Sequence, residues 1–529
     1  MRPDRAVLAL SRRLVRRGAL ILTGAAASYV ALEVVSYQQS YPDAASRARL
    51  AAFQDNPSVR MLQGLARNVD TIGGFVAWDG GWFLETVAGI WALLTVLRLT
   101  RGDEDTDRSA LLLGVPLRAP RVLLLQLVTV AAVGLLVGAA SALALVPFGV
   151  PADRAALFGL GLAGFTATVA GFAGVTAQLF DLRRRAVGAA AGLLALAYLL
   201  RMVANASDRI GWLRWSTPYG WMDNLTAYGD PNSVALSLLL LAPVGLALLA
   251  ARLRDRRDMG GATIPTSDRR RARTRWLGSP VGFAWRSSRL VLLAWGAGLG
   301  LYAFVIGTLL PTMADYVLKD ANTRKALEDF GIDADDVTKG MVSFMALMFA
   351  LAFSLYACWR VGAARTEEES GRADLVLARP VTRTRWLGGH LALAAGCCTL
   401  LAVTTGLSTW VGGAVVDADL TVGQALGAAL NPLPVVALFL AVAVLLLGLR
   451  PRLTVAVSAS AAGVAYLLPV LGSALSLPMW VRDVSPFQHL AAVPVHPYAL
   501  TGGVVMSVLA AVVAVAGVRA FARRDLTGA

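Results

Sequence analysis

Twelve apolar stretches of about 20 residues dominate this sequence and leave it few ways to fold. They fall at 18–36, 80–97, 122–146, 155–180, 186–204 and 233–251, then at 290–310, 341–359, 386–411, 424–448, 454–475 and 500–518. As a helix, 20 residues rise about 30 Å, the thickness of a bilayer's hydrocarbon core. Lipid offers no hydrogen bonds, so a spanning segment satisfies its amides internally and becomes a helix. The chain is 57% hydrophobic and 16% charged, with a mean hydropathy of +0.61. A soluble domain carries charge on about a quarter of its residues. A soluble enzyme, a secreted disulfide module and a disordered tail are excluded. The expectation is an all-α polytopic membrane protein with twelve transmembrane helices.

The net charge of +15 might point to nucleic acid, but the placement of the charges points to topology. The tail before the first stretch holds Arg2, Arg5, Arg12, Arg13, Arg16 and Arg17. With that tail inside, the loops on its side hold most of the 49 basic residues, the positive-inside pattern. An even number of spans places both termini in the cytoplasm. Ala25, Ala26 and Ala27 after a basic start resemble a signal-peptide cleavage site. The apolar stretch runs on past them and is long enough to span, so the reading keeps it as the first span. Trp78, Trp82, Trp212, Trp215, Trp221, Trp285, Trp386 and Trp480 mark the span borders.

The sequence also repeats itself. Arg101-Gly-Asp-Glu-Asp-Thr-Asp-Arg108 follows the second span, then Leu111, Pro116 and Arg121. At an offset of 264 residues stand Arg365-Thr-Glu-Glu-Glu-Ser-Gly-Arg372, then Leu375, Pro380 and Arg385. Ser216-Thr-Pro-Tyr before the sixth span echoes Val484-Ser-Pro-Phe before the twelfth, and Arg256-Arg-Asp echoes Arg523-Arg-Asp behind them. The reading is two homologous six-helix halves, 1–259 and 286–529, joined by a basic cytoplasmic linker at 260–285.

The repeated loop is the most specific feature. Thr366 and Glu369 have capping-box spacing and predict a helix start there, while Pro380 predicts its end. Leu375 and Leu377 form an apolar patch among Arg372, Asp374 and Arg379. In the first copy Asp103, Glu104 and Asp105 stand at the start and Pro116 at the end. Two short charged helices at matched positions imply a partner with two equivalent grooves. The candidate docking residues are Arg101, Glu104, Arg108, Leu111, Pro116, Arg365, Glu368, Glu369, Arg372, Leu375, Leu377 and Pro380.

At these residues the chain resembles the type-2 ABC exporter permeases (ABC-2 type), and more closely their fused twelve-span form, the permeases of polyketide antibiotic export. Arg365, Glu367, Glu368, Ser370, Gly371, Arg372, Asp374, Leu375, Leu377, Ala378, Pro380 and Val381 match that group's loop string. The first copy departs from it at Asp107 and Ala110. The resemblance implies outer helices at Pro42–Asn56 and Asn322–Gly331, and re-entrant hairpins at 205–232 and 476–499. It also implies a permease in a bacterial plasma membrane that exports a hydrophobic or amphipathic compound such as an antibiotic, drug or lipid. Power would come from two copies of a separate cytoplasmic ATPase, docked on the coupling helices and holding ATP and Mg.

The residues agree with a separate ATPase. A phosphate loop needs Lys followed by Ser or Thr, and the only lysines, Lys319, Lys325 and Lys339, precede Asp, Ala and Gly. No catalytic set and no metal site is expected of this chain. Cys358, Cys397 and Cys398 and the scattered His390, His489 and His496 lack metal-ligand spacing. Asp103-Glu-Asp105, Asp333-Ala-Asp335 and Asp417-Ala-Asp419 fall on different sides of the membrane. The rival reading is an ion-gradient-driven secondary drug transporter, which also has twelve spans. Its usual basic loop after the second span is replaced here by an acidic start. Within the spans, Glu33 and Glu85 are the candidate pathway residues, because a carboxylate at membrane depth is costly. Both stand near the outer ends of their spans, where they would attract cationic amphiphiles, pair with Arg201 or Arg209, or contact headgroups and water.

Overall fold

A computed structural model describes residues 3–51, 57–105, 118–258, 260–264, 279–319, 337–474 and 478–525. Among them twelve helices are long and apolar enough to cross a membrane. In order these spans are Pro3–Ser40, Ile72–Gly102, Ala119–Phe148, Ala152–Leu179, Arg183–Ala206, Ser233–Asp255, Val281–Thr312, Val337–Glu369, Arg383–Val415, Val422–Leu449, Pro451–Pro469 and Leu500–Arg523. The fold is all-α, as the apolar stretches require.

The chain divides into two compact units, Met1–Arg270 and Arg271–Ala529. Of the expected linker at 260–285, residues 260–264 and 279–285 are described. Thr263 N–H donates to Gln178 O at 3.2 Å and Ile264 N–H to Leu179 O at 2.8 Å, so the linker's start belongs to the first unit. A helix begins at Pro280, so its end belongs to the second unit. The intervening 265–278 and the expected outer helix at Asn322–Gly331 lie outside the described residues.

In the first unit the fourth span is the hub, packed by the second, third, fifth and sixth, while the first lies on the third. Gly159, Gly161, Gly164, Gly171 and Gly174 line its buried surface. Small residues let helices approach closely, which in lipid replaces the missing hydrophobic drive between them. A Cβ on Gly138 would stand 2.0 Å from Gly159 O, which sets the distance between the third and fourth spans. Gly188 and Gly192 share the small-xxx-small spacing, yet each faces open space. Spacing alone does not say which side of a helix has a neighbour.

In the second unit the tenth span packs the eighth, ninth, eleventh and twelfth, and the seventh lies on the ninth. Gly412 lies against Phe304 O, where an added Cβ would be 2.1 Å away. The neighbour order of each unit's six spans follows the same plan.

The first span is far longer than its apolar run. Its helix starts at Pro3 because Val7, Ser11, Val15, Ala19 and Leu22 recur on one buried stripe while the arginines stay outside it. Arg121 holds Asp4 with two bonds at 2.8 and 2.6 Å, tying this start to the third span. The segment expected as a hairpin at 205–232 is a 3-10 stretch, Asp208–Ser216, followed by a buried short helix, Pro218–Leu225, capped by Thr217. The corresponding 478–499 region holds two shorter turns, Met479–Arg482 and Pro486–His489.

Candidate functional site

The repeated loop starts where the second span of each unit ends. In the first unit the second span closes on a π-helical turn, Arg98–Gly102. Arg101 is fully buried there. Its guanidinium donates to Ala177 O at 2.5 Å, Gly261 O at 2.8 Å and Glu104 Oε2 at 2.8 Å. Glu104 in turn accepts from Arg257 at 2.7 and 3.1 Å and pairs with Arg254 at 3.3 Å. Arg257 Nε donates to Gln178 Oε1 at 2.8 Å. Three guanidiniums thus converge on one buried carboxylate and lock together the ends of the second, fourth and sixth spans. An isolated buried charge is costly, and such a site persists only when fully paired. The remaining first-loop candidates, Arg108, Leu111 and Pro116, lie outside the described residues.

In the second unit the same position carries a simpler pair. Glu368 is 3% exposed and accepts from Arg524 Nη2 at 2.5 Å and Nη1 at 2.7 Å. Arg524 lies over the Phe521 ring at 4.9 Å, and its own carbonyl accepts from Arg383 at 2.7 Å. Arg365 pairs with Glu369 and donates to Arg452 O at 3.1 Å. Beside them Glu367 stands 3.4 Å from His390, which contacts Arg360 at 3.3 Å. Glu104 and Glu368 therefore spend their carboxylates on their own units rather than presenting them at the surface.

The capping box expected at Thr366 and Glu369 does not form. The eighth span continues as helix through Glu369, and Thr366 Oγ1 donates back to Gly362 O at 3.1 Å. The break comes at Gly371, whose φ of 67° suits glycine because it lacks a Cβ. A short helix, Arg372–Leu377, follows and ends ahead of Pro380. On it Arg372, Asp374 and Leu375 are exposed, Leu375 to 74%, while Leu377 is half-buried. Arg379 and Pro380 are exposed behind it. The surface this loop offers is thus an apolar residue among charges of both signs, anchored from behind by a buried ion pair.

Sequence reasoning missed Arg254, Arg257, Gln178 and Arg524. The echo between Arg256-Arg-Asp and Arg523-Arg-Asp was the available signal. Arg257 and Arg524 are its matched second arginines, and each grips the matched glutamate of its unit.

The two carboxylates expected in the membrane separate. Glu33 and Tyr29 lie against Gly80, whose added Cβ would stand 3.3 Å from Glu33 Cγ and 2.9 Å from the Tyr29 ring. Glu85 is 5% exposed, and its Oε2 has no hydrogen-bond partner. Neither is gripped by Arg201, which holds Asp223 at 2.8 and 2.9 Å.

Comparison with known proteins agrees with a permease. The family described as "Multidrug efflux system permease Rv1217c, C-terminal domain" matches residues 277–522. The multidrug efflux system permease protein Rv1217c of Mycobacterium tuberculosis (strain ATCC 25618 / H37Rv) is 30% identical over 499 residues, covering 93% of this chain and 89% of the relative. Identity of that extent reaches into both units, so the chain belongs to the Rv1217c family of multidrug efflux system permeases.

Proposed function

We propose that this chain is the permease of an ABC-2 type exporter, built from two homologous six-helix halves in a bacterial plasma membrane with both termini in the cytoplasm. Two copies of a separate ATPase, carrying ATP and Mg, dock on the loops that follow the second and eighth spans. The cargo is a hydrophobic or amphipathic compound, in keeping with the relative's multidrug efflux name.

The observation that carries this reading is the second loop. A short helix with an exposed Leu375 projects from the end of the eighth span, and Glu368 behind it is clasped by Arg524 at the end of the twelfth. A push on such a helix is not absorbed by a loose connector. It passes to two spans at once. Coupling then requires only that the ATPase bind one arrangement of these spans better than the other. Leu375, Arg372 and Arg379 supply the contact surface. Glu104 and Glu368 act as positioning residues, holding the coupling loops to the bundle.

The test is ATP hydrolysis in nanodiscs by an ATPase encoded beside this chain, alone, with the permease, and with permease carrying Leu375→Asp and Arg372→Ala. A complex whose hydrolysis changes with the intact loop supports the reading. Absence of a complex, with drug transport driven by a proton gradient instead, would replace it with the secondary transporter.

A further inference from the structure

Glu85 lies on the second span about 24 Å of helix rise from Arg101, well removed from the loop cluster. A cavity of about 60 Å³ lies against it, bordered by Trp78, Phe158, Met222, Asp223 and Tyr228. Such a volume takes one or two waters or an ammonium group, not a whole drug.

Arg201 is spent on Asp223 and on Gln63 O at 2.8 Å, and Arg67 is exposed at the rim. Glu85 interacts electrostatically with the buried Arg201, but its Oε2 is left without a hydrogen-bond partner. The Tyr228 hydroxyl is a second buried polar atom without a partner. Its ring lies 6.0 Å from that of Phe158. A Cβ on Gly81 would stand 3.7 Å from Glu85 Oε1 and 3.9 Å from Phe158 Cε2, which brings the carboxylate and the ring to one spot. Gly73 makes room for Tyr228, because a Cβ there would lie 2.3 Å from its ring. A wider polar hollow of about 520 Å³ shares Arg67, Asn68 and Thr226 with the cavity. Asn224 there has a further unpartnered buried amide.

A desolvated carboxylate takes up a proton or a cation, and aromatic faces attract ammonium groups. We propose that this cavity binds the protonated amine of a cationic amphiphile, with Glu85 as counterion, the Tyr228 hydroxyl accepting an ammonium N–H, and Phe158 beside it. The choice of an organic over an inorganic cation rests on the efflux reading above. The site is one-sided. The matching position in the second unit is Phe349, which stacks on Phe353 at 6.2 Å.

The test uses the full chain in nanodiscs without any ATPase, so its outcome is independent of the coupling proposal. Thermal unfolding is followed while decylammonium, neutral decanol or sodium is titrated in, for wild type, Glu85→Gln and Glu33→Gln. Decylammonium should stabilise wild type and Glu33→Gln beyond decanol, with half-saturation weakened on the order of tenfold or more in Glu85→Gln. Equal responses to amine and alcohol, or an unchanged amine response in Glu85→Gln, would overturn the site. Saturation by sodium that abolishes the amine effect would overturn the ligand class. Should Glu85→Gln fail to fold, carbodiimide labelling of wild-type Glu85 gives the same answer by peptide mass spectrometry. Protection by decylammonium but not decanol is expected, and equal labelling throughout would refute the proposal.

Discussion

Glu368 and Arg524 stand 156 positions apart and meet through two hydrogen bonds at 2.5 and 2.7 Å. In the first unit Glu104 and Arg257, 153 positions apart, meet in the same way. Each pair joins the loop end of a unit's second span to the end of its sixth. The acids that looked like docking residues are thereby held inside their own units, and on the proposed reading they mount the docking surface.

We predict that Arg524→Ala destabilises the second unit by about 3–5 kcal/mol, because Glu368 is left charged and buried. A combined Glu368→Gln and Arg524→Met variant should lose less than the two single changes added together. Thermal unfolding of the four proteins in one detergent gives the coupling energy directly. Additive losses would mean the pair does not act as a clasp.

Leu375→Asp should leave stability within about 0.5 kcal/mol of wild type, since the side chain is exposed and packs on nothing that must repack. Transport and ATPase response should nevertheless collapse. A fully active Leu375→Asp protein would remove this helix from the coupling path.

Gly371→Ala should cost about 1–2 kcal/mol, the penalty for a Cβ in the left-handed region, and Gly371→Asn clearly less. The short helix hangs from this residue, so the Ala variant should also weaken ATPase binding. Equal stability of the Gly, Asn and Ala proteins would show that the turn relaxes freely.

Two glycines test the packing argument against each other. Gly138→Val forces apart the third and fourth spans and should cost at least about 1–3 kcal/mol, whereas Gly188→Ala meets open space and should be neutral or slightly stabilising. Comparable losses at both would contradict the helix neighbours described above.

The number of spans and their order were legible in the sequence, because hydropathy is a local sum. The loop at Arg365–Pro380 could be singled out from its residues alone. Their roles could not. Whether Glu368 faces a partner or an internal arginine depends on a contact across 156 positions, which no local pattern encodes. The first helix begins well ahead of its apolar stretch because a buried stripe, not mean hydropathy, carries it back to Pro3. The Thr366 box failed because a helix already running from Val337 has no free amides there to cap. Glu33 and Glu85 read alike in sequence as carboxylates at similar depth. Only packing separates them, since one lies against Gly80 beside Tyr29 while a cavity is left beside the other. Local composition determined what crosses the membrane, and the tertiary structure decided which charges are satisfied, because pairing is a property of neighbours in space.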